Sequence, residues 1–306
     1  MNILKFMILW LVVTVAMTIS WSIGSLVGNS LTSSVPPALE DPSGVASLFL
    51  AVCVVNSLLI SVFLCSVRSC SGRVKLFSVM LYLFVLQCLL PQMETIFFSE
   101  SIHISGRQIF SILIAGFVMS SVVVSVGILV TNRMTRGGTT PFNIPTIHFN
   151  RLIFPVAVLI VVVYPLLYMA FGHYVAWQNE TLRIFYSQSA ELRPFSAQFG
   201  DAFTNGIYFF QVLRALMWVA ISVPIVLMLQ HAKGVQYILI ALLSALPATQ
   251  LFIPNPFMPS EIAMTHFVET SISNIIWGLA MTFVINKFIT TSPAHHLRVN
   301  HRSANL

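Results

Sequence analysis

The sequence predicts an all-α, polytopic transmembrane helix bundle of about eight spans, with both termini in the cytoplasm. Of its 306 residues, 57% are hydrophobic and only 8% charged, and the mean hydropathy is +0.89. Soluble domains carry roughly a quarter charged residues, so this chain cannot cover a surface that faces water. Its apolar stretches run close to the ~20 residues that a helix needs to cross about 30 Å of hydrocarbon. Strand-like alternation does not recur at the roughly 10-residue length of outer-membrane barrel segments, which favours helices.

Apolar runs between polar breaks place the spans at about Phe6–Val27, Val45–Val67, Leu76–Phe97, Ile109–Thr131, Leu152–Phe171, Gly206–Gln230, Val235–Phe252 and Phe267–Asn286. Trp21, Tyr174, Trp177, Tyr208 and Tyr237 stand near span ends, where amphipathic rings anchor at the interface.

Charge sorting gives the orientation. Lys5, Arg68, Arg73, Lys75, Arg133, Arg136, Arg151, Lys233, Lys287, Arg298 and Arg302 all fall on one side of the membrane. The other side has Arg107, Arg183 and Arg193 as its bases, and it takes the acids: Glu40, Asp41, Glu94, Glu100, Glu180, Glu191, Asp201, Glu261 and Glu269. The positive-inside rule makes the base-rich side cytoplasmic, in a bacterial inner membrane or another plasma membrane. The net charge of +6 is therefore a topology signal, spread over short loops, and no nucleic-acid partner is expected. The N-terminal run also resembles a signal peptide. Its ~20-residue length and vague cleavage site favour an uncleaved first span. Cleavage would leave seven spans, but Asn255-Pro256-Phe257 precedes the last span and no Asn-Pro-x-x-Tyr lies within it.

Residues 1–289 read as one transmembrane domain and 290–306 as a cytoplasmic tail with His295, His296 and His301. Leu-Pro recurs in spans three and seven (Leu90-Pro91, Leu246-Pro247), with Glu94 and Gln250 three residues on, and Ser99-Glu100 and Ser260-Glu261 beyond. This would be a parallel repeat of 1–150 and 151–289, a pattern of two four-span halves that some transporters have. Cys53, Cys65, Cys70 and Cys88 form neither a disulfide framework nor a Cys-x-x-Cys metal pair. In the long loop 173–205, Leu192, Phe195, Phe199 and Phe203 predict a short amphipathic helix on the outer surface, either a connector or a lid. Asn179-Glu180-Thr181 is a glycosylation sequon on the matching side.

Ionisable groups inside a span are costly unless paired or wet, so each is a functional candidate. Arg214 stands eight residues into span six, about 12 Å below the outer boundary at ~1.5 Å per residue. Gln211, Arg214, Trp218 and Ser222 share one helical face. Gln87, Pro91 and Glu94 of span three, Pro247 and Gln250 of span seven, and the stripe His266, Glu269, Thr270, Ser273, Trp277 of span eight, with Asn274 beside it, reach the same depth. A bundle of spans three, six, seven and eight around an outward-open polar pocket is expected, with Arg214 paired to Glu94 or Glu269. Pro91 and Pro247 would free backbone carbonyls near it.

The residues leave three uses for such a pocket. A small-molecule or ion permease, or a solute-binding membrane protein, would meet an anionic group at Arg214 and use Glu94 and Glu269 as proton or cation partners. An intramembrane enzyme near the outer leaflet would use His266 and Glu269 as acid/base or metal ligands. A scaffold or sensor subunit would use the charges only to fix packing, alone or in a homo- or hetero-oligomer. No His-Glu-x-x-His, Gly-x-Ser-x-Gly, Walker or glycine-rich phosphate motif supports a named chemistry, and no cofactor is indicated.

Overall fold

Each predicted segment is a helix in the computed structural model, which describes residues 2–35, 41–67, 72–134, 146–147, 149–229 and 233–290. Glu40, Arg68, Cys70, Arg136 and the tail residues His295, His296, Arg298, His301 and Arg302 lie outside the described residues. Among the described residues, eight helices are long and apolar enough to cross a membrane: Ile3–Thr32, Pro42–Ser66, Gly72–Phe97, Gly106–Arg133, Leu152–Gln178, Ile207–Met228, Gly234–Phe252 and Ser260–Lys287. The chain is a multi-pass membrane protein. Its exposed residues include Leu11, Phe77, Phe117, Leu216 and Phe283, an outer face matched to lipid rather than to water.

Small residues set the closest packing. A Cβ on Gly28 of span one would stand 2.5 Å from the Ser111 carbonyl oxygen of span four, and one on Gly24 would stand 2.9 Å from Ala115 Cα. Gly24-x-x-x-Gly28 thus faces Ser111-x-x-x-Ala115, and two backbones meet where lipid supplies no hydrophobic drive between helices. Spans five and eight also contact one another, span three packs on span four, and span seven packs on span eight. Gly116 of span four sits over the Cys88 side chain of span three, as Gly278 of span eight sits over Ser244 of span seven.

Two prolines reshape their helices, and in each case a distant side chain takes the carbonyl released. Pro91 has no N–H to bond Gln87, four residues back, and the preceding Val85–Leu89 widens into a π-turn. Gln250 Nε2 donates to that Gln87 oxygen at 2.7 Å. Likewise Pro165 follows a π-turn over Leu159–Val163, and the Tyr208 hydroxyl donates to the Val161 oxygen at 2.7 Å. Span seven ends as a tighter 3₁₀ segment, Leu246–Phe252, with Pro247 as its second residue.

The described span ends that border the base-rich loops gather at one end of the bundle. There Val67, ending span two, forms an antiparallel bridge with Leu229, ending span six. Lys75 Nζ donates to the Val67 oxygen at 3.1 Å, and Gln236 Nε2 donates to the Leu229 oxygen. At the same end Thr146–Ile147, after span four, pairs with Ile289–Thr290, after span eight.

The long loop at the acidic end departs from the single helix expected. It holds two, Glu180–Ser187 and Phe195–Thr204, and Leu192 precedes the second rather than joining it. Phe195 stacks on Tyr174 of span five, and Phe203 stacks on Tyr208 of span six with ring centroids 4.4 Å apart. Buried Arg183 fixes the first helix by donating to the carbonyls of Ala190, Trp177 and Gln178. The Asn179 side chain caps that helix and donates to Thr265 Oγ1 at 2.8 Å, so the sequon asparagine is held against span eight.

Candidate functional site

A cavity of about 1000 Å³ occupies the acidic half of the bundle and reaches the connecting loops. Arg214, Glu94, Gln250, His266, Glu269 and Asn274 line it, while Gln87 and Gln211 do not reach the cavity and lie buried behind.

Its deepest charged contact joins spans three and six. Arg214 Nη1 stands 3.1 Å from Glu94 Oε2 and donates to Gln211 Oε1 at 3.1 Å. Gln211 is one helical turn before Arg214, so the helix itself aims the guanidinium. The other Glu94 oxygen, Oε1, accepts from the Tyr168 hydroxyl at 3.1 Å. The Arg214 side chain is 8% exposed and that of Glu94 35%, so the carboxylate is the more accessible of the two where they line the cavity. Arg214 Nε has no hydrogen-bond partner among the described residues.

Glu269 is engaged elsewhere. Its Oε2 stands 3.0 Å from His266 Nδ1, a contact that the i, i+3 spacing brings onto one helical face. His266 Nε2 lies 3.2 Å from the hydroxyl of Tyr186, on the loop helix Glu180–Ser187. Burial pushes the Tyr186 phenol above the ordinary tyrosine value of 10.0, and the charges of Glu94 and Glu269 push it the same way. Among the described residues no three His, Cys, Asp or Glu side chains converge as a metal site would require.

Span seven enters through Gln250, which donates to both the main-chain and side-chain oxygens of Gln87, at 2.7 and 3.0 Å. Asn274 of span eight is buried, lines the cavity and makes no side-chain hydrogen bond among the described residues. Tyr164, Trp218 and Trp277 pack ring to ring, with centroids 4.7 to 6.3 Å apart, and of the three Trp218 lines the cavity.

The four-span enclosure expected from polar residues is too small. Trp21 and Asn29 of span one, Ser111 and Ala115 of span four, and Tyr168 and His173 of span five also line the cavity. These residues carry no charge inside a span, the feature that makes a group conspicuous in the sequence. Tyr168 carried a weaker one: it follows Tyr164 by four residues, on the same face of a span otherwise rich in Val, Leu and Ile.

No sequence model of a known family matches the chain, and no curated protein or solved structure is detectably similar to it.

Proposed function

We propose that this protein is a permease for small organic solutes, with the cavity as its outward-facing binding site. The supporting observation is an asymmetry along the bundle. A large cavity with charged groups in a mainly apolar wall occupies the acidic half, while the base-rich half is closed by the Val67–Leu229 bridge and the side chains of Lys75 and Gln236. With the base-rich side cytoplasmic, this is an outward-facing arrangement.

The two four-span halves suit alternating access. Gly116 on Cys88 and Gly278 on Ser244 are equivalent contacts in the two halves. Lys75 capping Val67 and Gln236 capping Leu229 are another such pair, arranged about an antiparallel bridge that is itself two-fold. Repeats related by an axis along the membrane normal let one half rock against the other around a midplane site. The proline-interrupted spans three and seven meet in the middle, where Gln250 holds Gln87.

Single-cysteine labelling tests this reading. In a protein otherwise free of cysteine, Asn274→Cys should react with a membrane-impermeant maleimide from outside and, more slowly, from the cytoplasmic face of inverted vesicles. A Val67→Cys/Leu229→Cys disulfide should abolish only the inner reaction. Failure of the inner face ever to reach Asn274→Cys sinks the permease and leaves a solute-binding protein.

One observation favours a second reading, an intramembrane enzyme near the outer leaflet: His266 lies between Glu269 and Tyr186, as an oriented acid/base would. His266→Gln would then abolish turnover without loss of solute binding.

A further inference from the structure

The cavity's accessible deep charge is negative. Arg214 is the more buried partner, and its Nη1 is already shared between Glu94 and Gln211. An incoming anion would meet the Glu94 carboxylate first and would have to draw Arg214 away from two acceptors. The wider lining has the same sign. Glu94, Glu191, Asp201 and Glu269 line it together with Arg193, Arg214, His173 and His266. Arg193 is paired to Asp201, Arg214 to Glu94 and Glu269 to His266, which leaves Glu191 in excess.

Asn274 adds an independent sign. It lines the cavity at 8% exposure, makes no side-chain hydrogen bond among the described residues, and so offers a ligand both a donor and an acceptor. Trp21, Phe98, Trp177 and Tyr186 supply aromatic wall, which suits both an apolar body and a cation over a ring face. A bare metal ion fits poorly, because no cluster of ligating side chains converges among the described residues.

We propose that the cavity takes a protonated organic amine with an apolar or aromatic body, with its N–H groups directed to Glu94 and Asn274. The volume, about 1000 Å³, lies at the upper end of ordinary small-molecule pockets. The proposal rests on the solute-site reading above and replaces the expectation that Arg214 meets an anion.

The test uses the full-length protein in nanodiscs, empty nanodiscs as control, and three probes of matched body: phenethylammonium, hydrocinnamate and phenethyl alcohol. Binding is read by ligand-observed NMR and by the thermal shift of the protein. The ammonium should bind about tenfold tighter than the other two, the discrimination expected of a charge-assisted hydrogen bond. Glu94→Gln should remove that advantage and leave the alcohol unaffected. Equal or tighter binding of hydrocinnamate overturns the cation assignment while keeping the solute site. No binding of any probe overturns both readings. The wild-type comparison needs no variant, so a misfolded Glu94→Gln protein leaves the charge preference decided. Asn274→Leu then probes the site, and unchanged ammonium affinity there overturns the role given to Asn274.

Discussion

Gln250 of span seven donates to the Gln87 carbonyl of span three, the acceptor that Pro91 leaves without its helical N–H. A break in one helix is thereby mended by another, and the two halves of the chain are joined at cavity depth.

That relationship predicts a coupled pair of substitutions. Gln250→Leu leaves the Gln87 oxygen buried and unpaired, at a cost of about 1–3 kcal/mol. In a Pro91→Ala background the new N–H can close the helix, and the same change should cost less than half as much. Unfolding in mixed micelles, run as a double-mutant cycle, checks this; strictly additive effects would refute it.

The Arg214–Glu94 pair predicts an asymmetry. Glu94→Leu strands a buried guanidinium and should destabilise by about 3 kcal/mol, the low end for buried pairs because Glu94 is partly hydrated. The double change Glu94→Leu/Arg214→Met removes both charges and should recover most of that loss. Thermal denaturation of the three proteins decides between them.

Gly28 leaves no room at the contact of spans one and four. Gly28→Val should prevent accumulation of folded protein, since a Cβ there would stand 2.5 Å from the Ser111 oxygen. Gly200 has open space and ordinary helical surroundings, so Gly200→Ala should be neutral or stabilise by about 0.5–1 kcal/mol. Yield on size-exclusion chromatography and melting temperature measure both.

Tyr186 gives the loop helix a pH dependence on the alkaline side. Its folded pKa is raised above 10.0 by burial and neighbouring carboxylates. The stability tied to the neutral phenol is therefore complete below 10 and is lost as pH climbs above it. Limited proteolysis of loop 173–205 should accelerate above pH 10 in the wild type. Tyr186→Phe should be cleaved somewhat faster at neutral pH, having lost the His266 contact, but without that alkaline rise.

The sequence by itself determined the spans, because the length and hydropathy of a segment decide whether it can sit in hydrocarbon. It also singled out Arg214, Glu94, His266, Glu269, Gln250 and Asn274, because a polar group at that depth is conspicuous. Only the tertiary structure decided what those groups do to one another. That Arg214 takes Glu94 while Glu269 takes His266 depends on how helices rotate and tilt, and no spacing within one helix encodes that. Tyr168, Tyr186 and Trp21 entered the site from segments whose polarity gave little signal, since an aromatic ring is equally at home against lipid, core or ligand. Burial also ranks the two partners of the ion pair: the Arg214 side chain is 8% exposed and that of Glu94 35%, an order that no spacing within one helix encodes.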